Sequence, residues 1–323
     1  MRLLKTMILT GGVLALGLVP AMANATESGA SLYLLGSGGP GAAVMPPVEG
    51  VFFDKTIYVY DGDASARRQF PLNGNIVAGL DETIVASFDT ILAVPSTDFL
   101  GGTLAVGLTL PLGAPIVDVD AVLTGPGGGS VSRGRHDSTL TVGDPVGVVM
   151  MGWHGEKWHV QLSSMINMPL GHYREDQLAN LSLHRFAVDG SVAVSWHDPA
   201  SGWDVSAKGG YTLNGDNDYT GYDSGDEVHL EGAVEKALSP KFSLGAQAYY
   251  LKQVTDDRGG ALGPFKGEAV AVGATAAYNV VMAGTPATFR GRVMQELDTT
   301  NRPKGTSFWL DFSIPLTMNI PGQ

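Results

Sequence analysis

The chain has no cysteine. Thiolate metal centres and disulfide staples are therefore excluded, and an exported chain without staples needs a large hydrogen-bonded framework to hold it. Charge is scarce too: Asp, Glu, Lys and Arg make up 16% of residues, against about 25% in ordinary soluble domains. The basic sign is the scarcer, leaving a net charge of −12. This excludes nucleic acid as a partner, because phosphates demand a basic surface. Beyond the amino terminus no apolar run reaches the length of a spanning helix, so any membrane insertion must be by strands. Glycine, by contrast, is abundant at 44 residues, which suits turns and crowded positions in a strand wall.

The first residues carry Arg2 and Lys5, then an apolar stretch over 7–19, then Ala21-Met22-Ala23 or Ala23-Asn24-Ala25 as a small-residue cleavage site. This is the pattern of a signal peptide over 1–25, too short for a transmembrane helix. Residues 26–49 are rich in glycine and proline, with Gly36-Ser37-Gly38-Gly39-Pro40-Gly41 followed by Met45-Pro46-Pro47. That density excludes a regular helix or central strand. The segment is expected to be either a leader or a plug tucking Leu32, Tyr33, Leu34, Leu35, Val44 and Met45 into a barrel mouth. Residues 50–323 form the remaining unit.

That unit is organised around 203–214, where Trp203, Val205, Ala207, Gly209, Tyr211 and Leu213 alternate with Asp204, Ser206, Lys208, Gly210, Thr212 and Asn214. A period of two gives a strand with one apolar and one polar face. At about 3.3 Å per residue, and tilted, it spans on the order of 30 Å, enough to cross a hydrocarbon layer. The pattern predicts strands at 51–60, 82–94, 103–122, 145–153, 157–168, 185–198, 203–214, 227–238, 241–255, 268–281, 288–298 and 306–316. Pro111 and Pro115 inside 103–122 are unfavourable in a ladder, so two shorter strands there are the alternative to one, which would raise the count to as many as fourteen.

The connections sort by length. Those over 95–102, 154–156, 199–202, 239–240 and 282–287 are tight, those over 61–81, 123–144, 169–184, 215–226 and 256–267 are long, and 299–305 lies between. Short turns at one end and long loops at the other mark the periplasmic and extracellular ends of a barrel, with both termini periplasmic. The expected fold is thus all-β: a transmembrane antiparallel up-and-down barrel of about twelve strands. Tyr58, Tyr60, Trp153, Trp158, Trp196, Trp203, Tyr211, Tyr278 and Phe308 sit where interfacial aromatic girdles belong.

With apolar positions facing lipid, the alternates face the lumen, among them Lys208, His229, Glu231, Glu235, Arg290, Arg292, Glu296 and Asp311. Arg290 and Arg292 share a face and could meet Glu231, Glu235 or Asp311, either as packed ion pairs or along a constricted pathway. Acids concentrate in loops, notably Asp216, Asp218, Asp223, Asp226, Glu227, Asp256 and Asp257, where solubility explains them. Asp216, Asp218, Asp223 and Asp226 offer hard oxygens for Ca²⁺ but lack the EF-hand order and its closing glutamate. Ser195 and His197 are merely same-face neighbours on one strand without an activated-nucleophile context, so no catalytic residue is assigned. No cofactor is implied.

Several stretches together resemble the outer-membrane proteins named for the meta-pathway of phenol degradation. Gly29-Ala30-Ser31, Tyr33, Gly36, Met45-Pro46-Pro47 and Gly50-Val51-Phe52-Phe53 look like that family's amino-terminal signature, and Leu100-Gly101-Gly102 with Pro111 like its second hairpin. The most specific part is Asn214, Asn217, Tyr219-Thr220, Tyr222, Ser224-Gly225-Asp226 and His229, then Gln253, Thr255 and Asp257. The resemblance runs over nearly the whole chain after the leader. It implies a Gram-negative outer-membrane barrel in contact with lipid, admitting small hydrophobic or aromatic compounds. A filled structural or adhesive barrel is the alternative, and a barrel hydrolase a third. Lys304-Gly305, Phe308, Leu310 and Phe312 are similar to the final-strand signal read by the barrel-insertion machinery, although the chain continues through Pro315 to Gln323.

Overall fold

The computed structural model describes residues 27–73, 75–124, 132–175, 177–259, 266–282 and 284–319. The expected signal peptide lies outside them. After a single 3-10 turn at Glu27–Gly29 the chain runs without regular structure to β1 (Glu49–Leu72), β2 (Asn75–Phe99) and β3 (Gly102–Thr124). Two short strands follow, β4 (Ser132–Ser138) and β5 (Thr141–Val142), then β6 (Val146–His154), β7 (Trp158–Asn167), β8 (Arg185–Asp198) and β9 (Trp203–Asn217). The rest are β10 (Tyr222–Asp223), β11 (Glu227–Ala237), β12 (Phe242–Gln253), β13 (Glu268–Met282), β14 (Thr285–Thr300) and β15 (Lys304–Asn319).

Setting aside the short β4, β5 and β10, twelve long strands each pair antiparallel with the next, and β15 pairs with β1 to close the ring. Closure leaves no free edge, which is the condition for strands to stand in a hydrocarbon layer. Side-chain parity follows the sequence. On β9, Trp203, Val205, Tyr211 and Leu213 are exposed on the outer face, while Asp204, Ser206 and Thr212 are buried inside. The same inversion of a soluble core holds at Leu230 and Val234 on β11, Leu244 on β12 and Leu310 on β15, all exposed. A leucine half exposed in this way recovers about 1–2 kcal/mol when lipid replaces water.

Three expectations change and one is settled. Residues 61–81 are not a long loop: β1 and β2 run on to a tight turn between Leu72 and Asn75, a tall hairpin rising above the barrel. It stands because its own alternation continues, with Phe70, Leu72, Val77 and Leu80 packed with Val117, Val119 and Val122 of β3 and with Leu178 and Ala179 of the loop after β7. The connection 123–144 contains β4 and β5, both folded back along β3. The stretch 103–122 is one strand, as the twelve-strand reading has it and not two, since Pro111 and Pro115 fall in the gaps where β3 changes partner from β6 to β5 and from β5 to β4. There a missing N–H costs no ladder bond on that edge, and both carbonyls still accept, from Gly143 at 3.0 Å and Thr139 at 3.3 Å. Finally, of the expected girdle, Trp158, Trp203, Tyr211, Tyr278 and Phe308 are exposed on the outside, but Tyr58 and Tyr60 point inward and border a cavity.

Candidate functional site

The lumen is occupied by the segment before β1, which enters it at the long-loop end and leaves at the short-turn end. Glu27 sits at the top, its N–H donating to Ser224 Oγ at 3.3 Å and its carboxylate accepting from Asn217 Nδ2 at 2.9 Å. The Ala30 carbonyl accepts from Arg185 at 2.8 Å, and Ser31 Oγ donates to Glu227 at 2.8 Å while accepting from Arg302 at 3.2 Å. At mid-height the Gly36 and Gly38 N–H groups donate to the two oxygens of Glu231, each at 2.7 Å. The Gly36 carbonyl accepts from Gln247 at 2.6 Å and from Arg292. Near the bottom the Gly41 N–H donates to Asp204 at 2.9 Å, and the Ala43 N–H to Ser195 at 3.0 Å. The first described residues thus lie at the opposite end of the lumen from the start of β1.

Glycine is required at the tightest point. Gly36 has φ +96°, and a Cβ there would stand 3.3 Å from the Trp309 ring; a Cβ on Gly38 would stand 2.8 Å from Glu231 Oε2. The two N–H groups form an anion nest for Glu231, and bonds to a charged acceptor are worth on the order of 1.5–3 kcal/mol each. Of the apolar residues expected to be tucked in, Leu32, Tyr33 and Met45 are buried, whereas Val44 is exposed.

The eight residues expected to face the lumen fall into linked groups. His229 is fully buried, its Nε2 2.9 Å from Asp189 and its ring stacked on Tyr33 at 3.5 Å between centroids. Lys208 lies over that tyrosine ring at 4.8 Å, close to the Glu231 nest. Glu235 pairs with Arg290, which Thr275 also accepts from at 2.9 Å. Asp311 pairs with Arg292 at 2.6 Å, and Arg292 lies 4.4 Å above the Trp309 ring. Glu296 accepts from Tyr60 at 3.0 Å, Tyr249 at 3.1 Å and the Gly305 N–H at 2.7 Å.

Sequence reasoning missed Trp309, which carries no motif and is separated from its lipid-facing neighbours Phe308 and Leu310 by parity alone.

Beside the segment is a cavity of about 190 Å³. Leu32, Leu34 and Leu35 of the segment form one side, and Tyr58, Tyr60, Ile84 and Phe88 of β1 and β2 the other. Pro111, Val146, Leu181 and Leu183 close it toward the long-loop end, and Glu82, Glu296 and Arg302 supply its polar patch. An apolar cavity of about 150 Å³ holds benzene, so this one admits a compound of a single ring.

The signature residues at the long-loop end form a latch. Tyr222 Oη donates to Asp257 at 2.6 Å, as do the Gly225 N–H and Gln253 Nε2, each at 2.6 Å. Asp226 receives the Asn214 N–H at 3.1 Å, and Asn214 Nδ2 donates to the Gly225 carbonyl at 2.9 Å. Asp257 and Glu227 are buried rather than solvated, a correction to the reading of the loop acids. Burial pushes the Asp257 carboxyl up to about 6, against the three donors that favour its charged form. The Ca²⁺ candidates do not gather: Asp223 pairs with Arg258, Asp226 serves Tyr211 and Asn214, and Asp216 and Asp218 are exposed.

Ser195 is fully buried and bonded to Ser206 and Ala43, while His197 turns to Asp204. Ser191, His229 and Asp189 do cluster, but serine and aspartate contact the same ring nitrogen, Nε2, and Ser191 donates directly to Asp189 at 2.5 Å. A relay needs both nitrogens of the ring, so this is a packed polar cluster beneath Tyr33.

A family model described as "Putative MetA-pathway of phenol degradation" matches residues 66–312. The match therefore starts beyond the amino-terminal signature, covering less than the resemblance suggested. No curated protein matches the chain. Among solved structures, an outer-membrane channel from Pseudomonas putida F1 is similar at 18% identity and TM-score 0.68, over 85% of this chain and 98% of that one. The β domain of the Bordetella autotransporter BrkA is similar at 11% identity and TM-score 0.50, over 83% of this chain and 100% of that one. Both likenesses concern the barrel fold.

Proposed function

The chain belongs to this phenol-degradation family, and from that premise we propose that it is an outer-membrane channel for passive uptake of small hydrophobic compounds, aromatic ones among them. In this reading the short turns are periplasmic and the long loops extracellular. The observation that carries it is the cavity of about 190 Å³ inside the wall, apolar on most sides and of one-ring size. A compound entering past the loop latch would rest between the leucines of the inner segment and the tyrosines of β1 before descending along the segment. The wall groups that hold the segment, Glu231, Arg292 and Asp204 foremost, become the gate. Lys208, His229, Glu235, Arg290, Glu296 and Asp311 line the same route. The matched relative being an outer-membrane channel supports this reading.

One observation favours the alternative of a filled structural barrel: the segment is bonded to the wall at every level from Ser224 to Ser195. Uptake separates the two. Cells expressing the protein are expected to take up a labelled neutral monoaromatic at least about threefold faster than cells without it, with no gain for a sugar of equal size. Equal rates for the aromatic would leave the structural barrel.

A further inference from the structure

At the short-turn rim three histidines stand in a row on the inner face of the wall. His154 ends β6, His159 lies one residue inside β7, and the register sets them directly opposite each other. The hairpin between them is tight, the Gly155 N–H donating to the Trp158 carbonyl at 2.8 Å. Their Nδ1 atoms are 2.9 Å apart and their ring centroids 5.1 Å apart. The ring of His197, on β8, lies 6.3 Å from that of His159, and its Nδ1 is 3.1 Å from Asp204.

Two imidazole nitrogens at this distance share one proton, and a cation bound to both would take its place. Imidazole binds Zn²⁺ at about 2.0–2.1 Å, and a near-tetrahedral angle then puts the two nitrogens roughly 3.3 Å and the ring centroids roughly 5.2 Å apart. The pair meets the second spacing and misses the first by a few tenths of an ångström. A third imidazole at the same spacing needs His197 to close by about 1 Å, and the carboxylate behind it is the usual partner that orients a metal-ligating ring.

We propose that His154 and His159 form a chelate for a divalent transition ion that favours imidazole, Cu²⁺, Ni²⁺ or Zn²⁺, with His197 drawn in as third ligand. Among the described residues no group of three or more such side chains already stands ready for a metal ion. The pair carries the site, and His197 completes it by moving. Copper(II) binds tightest of the three by the general order for first-row ions. The site is independent of whether any compound crosses the lumen. It is linked to the inner segment through Asp204, which holds the Gly41 N–H on its other oxygen.

The test is a Cu²⁺ titration of the detergent-solubilised protein with any affinity tag removed, followed by calorimetry and by electron paramagnetic resonance. One ion per chain is expected at micromolar affinity, with nitrogen hyperfine structure from at least two imidazoles. His154→Ala and His159→Ala are each expected to weaken binding at least about tenfold, and His197→Ala about threefold. His136→Ala, on the exposed β4, serves as control and leaves affinity unchanged. Each variant must keep the compact band of a folded barrel on an unheated gel. No saturable binding below about 100 µM, or unchanged affinity in both His154→Ala and His159→Ala, would overturn the assignment.

Discussion

Deleting residues 27–43 is expected to raise single-channel conductance in planar bilayers at least about tenfold. The barrel should survive the loss, because every long strand keeps both ladder neighbours and β1 begins only at Glu49. What goes is the body filling the lumen, along with the bonds at Glu231, Asp204 and Ser195. Twelve strands enclose a modest bore, so one extended chain inside it is most of the obstruction. Conductance equal to the native protein's, with the barrel folded, would mean that the segment does not limit the pore.

The second large effect is expected from filling the cavity. Ile84→Trp adds roughly 60 Å³ of side chain at a position bordering it. Uptake of a labelled monoaromatic should fall at least about fivefold. Val85→Trp is the matching control, since Val85 is exposed on the outer face one residue away, and should leave uptake unchanged. If the two variants behave alike, the cavity is not on the path.

Much of the wall was legible because a strand of a closed barrel has only two environments, and residue parity reports which one each side chain meets. The twelve long strands follow from that alone, as do the inward positions of Asp204, Glu231 and Arg292. The tall hairpin was hidden because Asp61, Asp63 and Asp81 read as loop residues, while the alternation holding it upright is completed by Val117 and Leu178 from other parts of the chain. The strand through Pro111 and Pro115 was legible by its alternation, but whether it ran unbroken was not, because the cost of a proline depends on which neighbour ladder is interrupted beside it. The path of the inner segment had no pattern to read: Gly36, Gly38, Gly41 and Ala43 are held through their backbone N–H groups, which every residue but proline possesses. Its trace in the sequence lies in the acceptors waiting on the wall.

The most direct measurement uses the absence of native cysteine. Ala43 and Ser195 are joined by a 3.0 Å hydrogen bond, so Ala43→Cys with Ser195→Cys places the only two thiols of the chain where oxidation can fasten the segment to β8. Monoaromatic uptake should drop at least about fivefold on oxidation and return on reduction, if flux runs through the lumen and needs the segment to move. Uptake that stays at the native rate after the bond has formed would contradict the account.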